Sequence, residues 1–142
     1  MLFEELVEQA IASTDGYTQA SQALRLAAAA GEIAGTFAVP IGIRGDGKAL
    51  AIAIGKTAMA AIGVAQLFNE PVAALIEPKG GAEADLCGED IVGELLASVA
   101  KTAQGPWPED TQEVLKLLAA LAISIGLPGL IPCWQAYIQH SQ

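Results

Sequence analysis

Phe37-Ala38-Val39-Pro40-Ile41-Gly42-Ile43-Arg44-Gly45-Asp46-Gly47-Lys48-Ala49-Leu50-Ala51-Ile52-Ala53-Ile54 is the stretch on which the fold class turns. Large apolar residues (Phe37, Val39, Ile41, Ile43) alternate with small ones (Ala38, Pro40, Gly42), and after the polar interruption Leu50, Ile52 and Ile54 alternate with Ala49, Ala51 and Ala53. A period of two on both sides of a Gly-Asp-Gly turn predicts a β-hairpin, since glycine and aspartate tolerate the positive φ of a tight reversal. Pro40 lacks a ladder donor and so marks the first strand as an edge strand or a bulge. The flat alanine and glycine face would receive a helix.

Outward from this hairpin the signals are mostly helical. Towards the N-terminus, Leu2, Phe3, Leu6, Val7, Ala10 and Ile11 form one stripe of a short amphipathic helix over 2–12, opposite Glu4, Glu5 and Glu8. A second, alanine-rich helix is expected from about Thr18 to Ile33, and its Gly31 and Gly35 have the G-x-x-x-G spacing of close helix pairs, read here chiefly as termination. Towards the C-terminus, a helix over Lys56–Phe68 should stop at Asn69-Glu70-Pro71, followed by a third short strand over Val72–Ile76 and an acidic loop over 77–90. Ile91, Val92, Leu95, Leu96 and Val99 define the next helix, closed by Gly105-Pro106. A long helix from Pro108 to Gly126 has Glu109 and Asp110 in its first turn, where the helix dipole favours acids. Residues 127–142 read as a proline-broken apolar tail. The expected fold class is therefore α+β: one compact domain over 1–142, mostly helical, with a small sheet containing the hairpin.

Composition narrows the function classes. The 142 residues include 7 basic and 16 acidic side chains, for a net charge of -9. An average domain of this length would carry about 35 charges. Disorder is excluded by the 53% hydrophobic content. Nucleic acid is excluded as a partner because seven scattered cations make no phosphate-neutralising stripe. A folded monomer of this mass exposes roughly 6,900 Å², or about one charge per 300 Å² of surface. Such thin coverage predicts a face hidden by another copy, a partner or lipid. Cys87 and Cys133 make no C-x-x-C pair, and the start Met-Leu-Phe-Glu-Glu lacks the basic n-region of a signal peptide, so the cytoplasm is the expected compartment.

No cofactor or metal is expected. Gly55-Lys56-Thr57 sits where a strand would meet a helix, the place at which free amide groups hold a phosphate, but Leu50 stands where a P-loop needs glycine. What remains is an anion site at Gly55, Lys56 and Thr57, helped by Arg44 or Lys79. Glu83, Asp85, Glu89 and Asp90 do not follow the ligand order of a calcium loop. His140, the single histidine, has no nucleophile beside it, and nothing selects a carboxylate pair. Membrane insertion competes through the 23 uncharged residues from Leu117 to Gln139, broken by prolines and glycines. A helical hairpin of 24–43 and 49–68 would also be apolar, but it would carry Glu32 and Lys56, about 22 and 14 Å from the turn centre at 1.5 Å per residue.

Three readings follow. The first is a non-enzymatic cytoplasmic homo-oligomer or partner-binding subunit, in contact through the alanine-rich helix and the tail, with Leu130, Trp134 and Tyr137 as anchors. The second is a protein or enzyme for an anionic or phosphorylated small molecule at Gly55-Lys56-Thr57. The third is a membrane-associated protein held by its C-terminal segment.

Overall fold

The computed structural model describes residues 2–40, 42, 47–79, 87–105 and 108–141. Among the described residues six α-helices follow one another: α1 (Phe3–Ala12), α2 (Gln19–Phe37), α3 (Gly47–Leu67), α4 (Gly88–Ala103), α5 (Pro108–Ser124) and α6 (Leu130–Ser141), with a 3-10 turn at Val72–Ala74. No strand occurs among the described residues, which overturns the α+β expectation.

The expected hairpin is two helices and their connection. Phe37 is the last residue of α2, Ala38 its C-cap, and Gly47 through Ile54 form the first two turns of α3. Ile41 and 43–46, including the Gly-Asp turn, lie outside the described residues. The reason lies in α3's surroundings. It packs against α1, α2, α4, α5 and α6, and every residue from Ala53 to Ala65 except Lys56 is buried. A helix enclosed on nearly all sides, with only a narrow strip through Lys48, Ile52 and Lys56 reaching the surface, needs little polar face, so its sequence loses most of the 3.6-residue period. Alanine then becomes ambiguous: beside Leu50, Ile52 and Ile54 it looks like the flat face of a strand, yet it is the strongest helix former.

The third strand fails for a different reason. Val72–Ala74 is a 3-10 turn, and Ile76 finds its backbone partners in a side chain: its N–H donates to Gln112 Oε1 at 3.0 Å, and its carbonyl accepts from Gln112 Nε2 at 2.9 Å. One amide from α5 thus takes the place of a neighbouring strand.

The helix ends are set by local chemistry. Thr18 caps α2 in a reciprocal box with Ser21, satisfying amide groups that the first turn leaves free. Asn69 (φ 61°) closes α3, with Glu70 N–H reaching Ala65 carbonyl oxygen at 2.9 Å. Gly126 (φ 84°) closes α5 in the same manner, with Leu127 N–H on Ala122 carbonyl oxygen at 2.8 Å. The expected broken tail is α6, because Pro132 falls in the first turn, where its missing N–H has no helical partner to lose. The core runs around α3: Leu6 from α1, Leu26 and Ile33 from α2, Ile91 and Leu95 from α4, Leu115, Leu118 and Leu121 from α5, and Trp134 from α6.

Candidate functional site

Gly55, Lys56 and Thr57 lie in the third turn of α3 rather than at a helix start. Their amide groups belong to the interior of a helix, and the Thr57 hydroxyl, fully buried, donates to Ala53 carbonyl oxygen at 2.7 Å. Lys56 Nζ is paired with Glu32 Oε1 at 2.9 Å across α2 and α3. Gly55 serves packing: a Cβ there would stand 2.5 Å from Cys133 carbonyl oxygen and 2.6 Å from Trp134 Cα, so glycine is what lets α6 cross α3. Arg44 lies outside the described residues, as do Glu83 and Asp85. Lys79 lies 3.8 Å from Glu77. Gly55, Lys56 and Thr57 therefore do not stand at a free helix end.

The Lys56–Glu32 pair also revises the reckoning for a helical hairpin. The antiparallel α2–α3 pair forms, but α2 ends at Phe37, so Glu32 is five residues from its helix end rather than eleven, and Lys56 reaches it. Among the described residues one helix, Gly47–Leu67, is long and apolar enough to cross a membrane, and 78% of its apolar window is buried inside the protein. The uncharged run over 117–139 is divided between α5 and α6.

Of the three expected anchors, Leu130 and Trp134 are core residues, and Tyr137 is half-buried against that core. Trp134 meets Phe3 edge to face, with ring centroids 6.5 Å apart, and its Nε1 has no hydrogen-bond partner among the described residues. Cys133 is buried, and desolvation pushes its thiol up from 9.0 to about 11. Cys87 is exposed at the N-cap of α4, with its Sγ 3.1 Å from Asp90 Oδ2. His140 is exposed in the last turn of α6. Among the described residues no three His, Cys, Asp or Glu side chains come close enough to hold a metal ion.

Two surface features do stand out. The first is the outward face of α2. Its buried side is Gln22, Leu26, Ala29, Ala30 and Ile33. Opposite, at helical spacing, lie Ala20, Leu24, Ala27, Ala28, Gly31 and Gly35, all exposed and all uncharged. Leu24 is 71% exposed, and a Cβ added at Gly31 or Gly35 would meet nothing within 4 Å. Sequence composition singled out this helix, but only packing shows which of its faces is bare.

The second feature is Arg25, which motif reading passed over. Its Nη1 donates to Ser13 carbonyl oxygen at 3.1 Å and to Gln22 Oε1 at 3.4 Å, and its Cζ lies 4.5 Å from the Tyr17 ring centroid. Gln22 is itself fully buried and donates to Ala60 carbonyl oxygen at 3.2 Å, so Arg25 is braced through it on the backbone of α3. One signal was available: Arg25 is the single basic residue in the first 43 positions, which contain five acids. In comparisons with known proteins, no family model matches the chain, and neither a curated protein nor a solved structure matches it.

Proposed function

We propose that the chain works as a non-enzymatic cytoplasmic subunit of a homo-oligomer, joined through the outward face of α2. The observation that carries this reading is the uncharged face itself, with Leu24 projecting from its middle and room at Gly31 and Gly35 for a second backbone. Small residues at i and i+4 let two helices approach closely, which increases dispersion contact per turn. Elsewhere among the described residues the exposed large apolar side chains are single ones, such as Leu2, Ile76, Leu96 and Ile123, as monomers commonly show.

Size sets the expected strength. At 1.5 Å per residue the 19 residues of α2 span about 28 Å, and a stripe about 10 Å wide covers roughly 280 Å². A standard interface takes about 800 Å² from each partner, so α2 would form the centre of a contact whose rim comes from its neighbours. Each copy carries a net charge of -9, so association works against repulsion. The test is light scattering on the wild type and on Leu24→Glu at matched concentration. The proposal expects an oligomeric wild type and a monomeric, fully helical variant; equal masses would overturn it.

A further inference from the structure

We infer that Arg25 heads a binding groove for a carboxylate that bears an apolar tail. The groove is about 450 Å³ and lies where the end of α1 meets α2, α3 and α6. Arg25 stands in its wall, with Ala12, Met59, Tyr137 and Ile138 supplying apolar surface. Among the described residues the lining contains no acid, and no carboxylate lies within ion-pair distance of the guanidinium.

The donor geometry selects the ligand. A guanidinium presents five N–H groups in a planar fork. Both hydrogen bonds that Arg25 makes come from Nη1, which leaves the Nε and Nη2 edge without a partner among the described residues. That edge offers two parallel donors, the arrangement that a carboxylate accepts in bidentate fashion. The Tyr17 ring and the Ser13 carbonyl hold the plane before a ligand arrives, which lowers the entropic cost of binding. In a chain with more than twice as many acids as bases, a cation held off from every described carboxylate is left for an outside anion. The apolar wall beyond it fits an alkyl or aryl tail rather than a phosphate ester. The site is distinct from Gly55-Lys56-Thr57 and independent of assembly through α2.

The probe is decanoate, titrated calorimetrically into the folded protein, with the Arg25 Nε–H resonance followed in parallel. Decanoate should bind saturably and move that resonance, while decanol and acetate, each lacking one half of the recognition, should bind at least about tenfold more weakly, a difference of about 1.4 kcal/mol. Arg25→Met should lose at least tenfold in decanoate affinity. Arg25→Lys keeps the charge but not the fork and should also weaken binding; it replaces the methionine variant if that one fails to fold. No saturable decanoate binding by the wild type overturns the inference. So does affinity for decanol equal to that for decanoate, or undiminished affinity in whichever Arg25 variant folds.

Discussion

Gly55→Ala should lower stability even though alanine is the better helix former, and Gly93→Ala should raise it. Both glycines lie inside helices, so both substitutions gain about 1 kcal/mol of helix propensity. At Gly93 a new Cβ meets nothing within 4 Å, and the gain is kept. At Gly55 it would stand 2.5 Å from Cys133 carbonyl oxygen and 2.6 Å from Trp134 Cα, where ordinary contact begins at 3.4 Å. Both obstacles are backbone, so no rotamer relieves them; α6 must retreat by nearly 1 Å, and the fully buried Trp134 moves with it. A gap of that width forfeits a quarter to a half of the dispersion energy along the crossing, and overpacking of this kind costs about 3 kcal/mol at the upper end of its usual range. The net effect is about 2 kcal/mol of destabilisation, or a fall in Tm of about 8 °C at this chain length, against a rise of about 4 °C for Gly93→Ala. Thermal and urea unfolding followed by circular dichroism, at equal protein concentrations, measures both. A Gly55→Ala protein that melts at or above the wild type would refute the α3–α6 crossing described here.

Three further outcomes follow from individual side chains. Thr111 Oγ1 is buried without a hydrogen-bond partner among the described residues, so Thr111→Val should stabilise the protein by about 1 kcal/mol in urea unfolding; a loss would mean that the hydroxyl is bonded. Lys56→Ala should cost less than about 1 kcal/mol, because both members of its ion pair are substantially exposed, and the cost should shrink in high salt; a larger, salt-independent loss contradicts the surface placement. At pH 8 a thiol reagent should label Cys87 in the native protein and Cys133 only after unfolding. Because burial raises the Cys133 thiol to about 11, the unfolded chain ionises first as pH rises, so its contribution to stability is whole below pH 9.0 and is lost towards about 11. Cys133→Ser should flatten that alkaline decline; an unchanged decline would assign it elsewhere.

What the sequence showed of this fold depended on whether each helix has a wet side. The stripes of α1, α4 and α5 were visible because Glu4, Glu8, Glu94 and Glu113 alternate with their apolar residues at helical spacing. α3 had too narrow a wet side to reveal its period, and six residues of alternating alanine and branched aliphatics were enough to resemble a strand. α6 was hidden by prolines and glycines that, once placed, belong to its first turn and to the bend before it. The surfaces were less visible still. Leu130 and Trp134 have the composition of interface anchors, but burial alone decides between core and contact, and it places both inside. The two features now singled out depend on tertiary geometry: which face of α2 points outward, and which edge of Arg25 has no partner among the described residues.

Sedimentation velocity on the wild type at low and high ionic strength tests assembly through α2 most directly. Two copies of net charge -9 repel, and raising salt from about 0.01 M to 1 M shortens the screening length from about 30 Å to 3 Å. The account predicts a concentration-dependent oligomer that strengthens as salt is added and that Leu24→Glu disperses in both buffers. A chain that sediments as a 14.5 kDa monomer at every concentration and salt would contradict it.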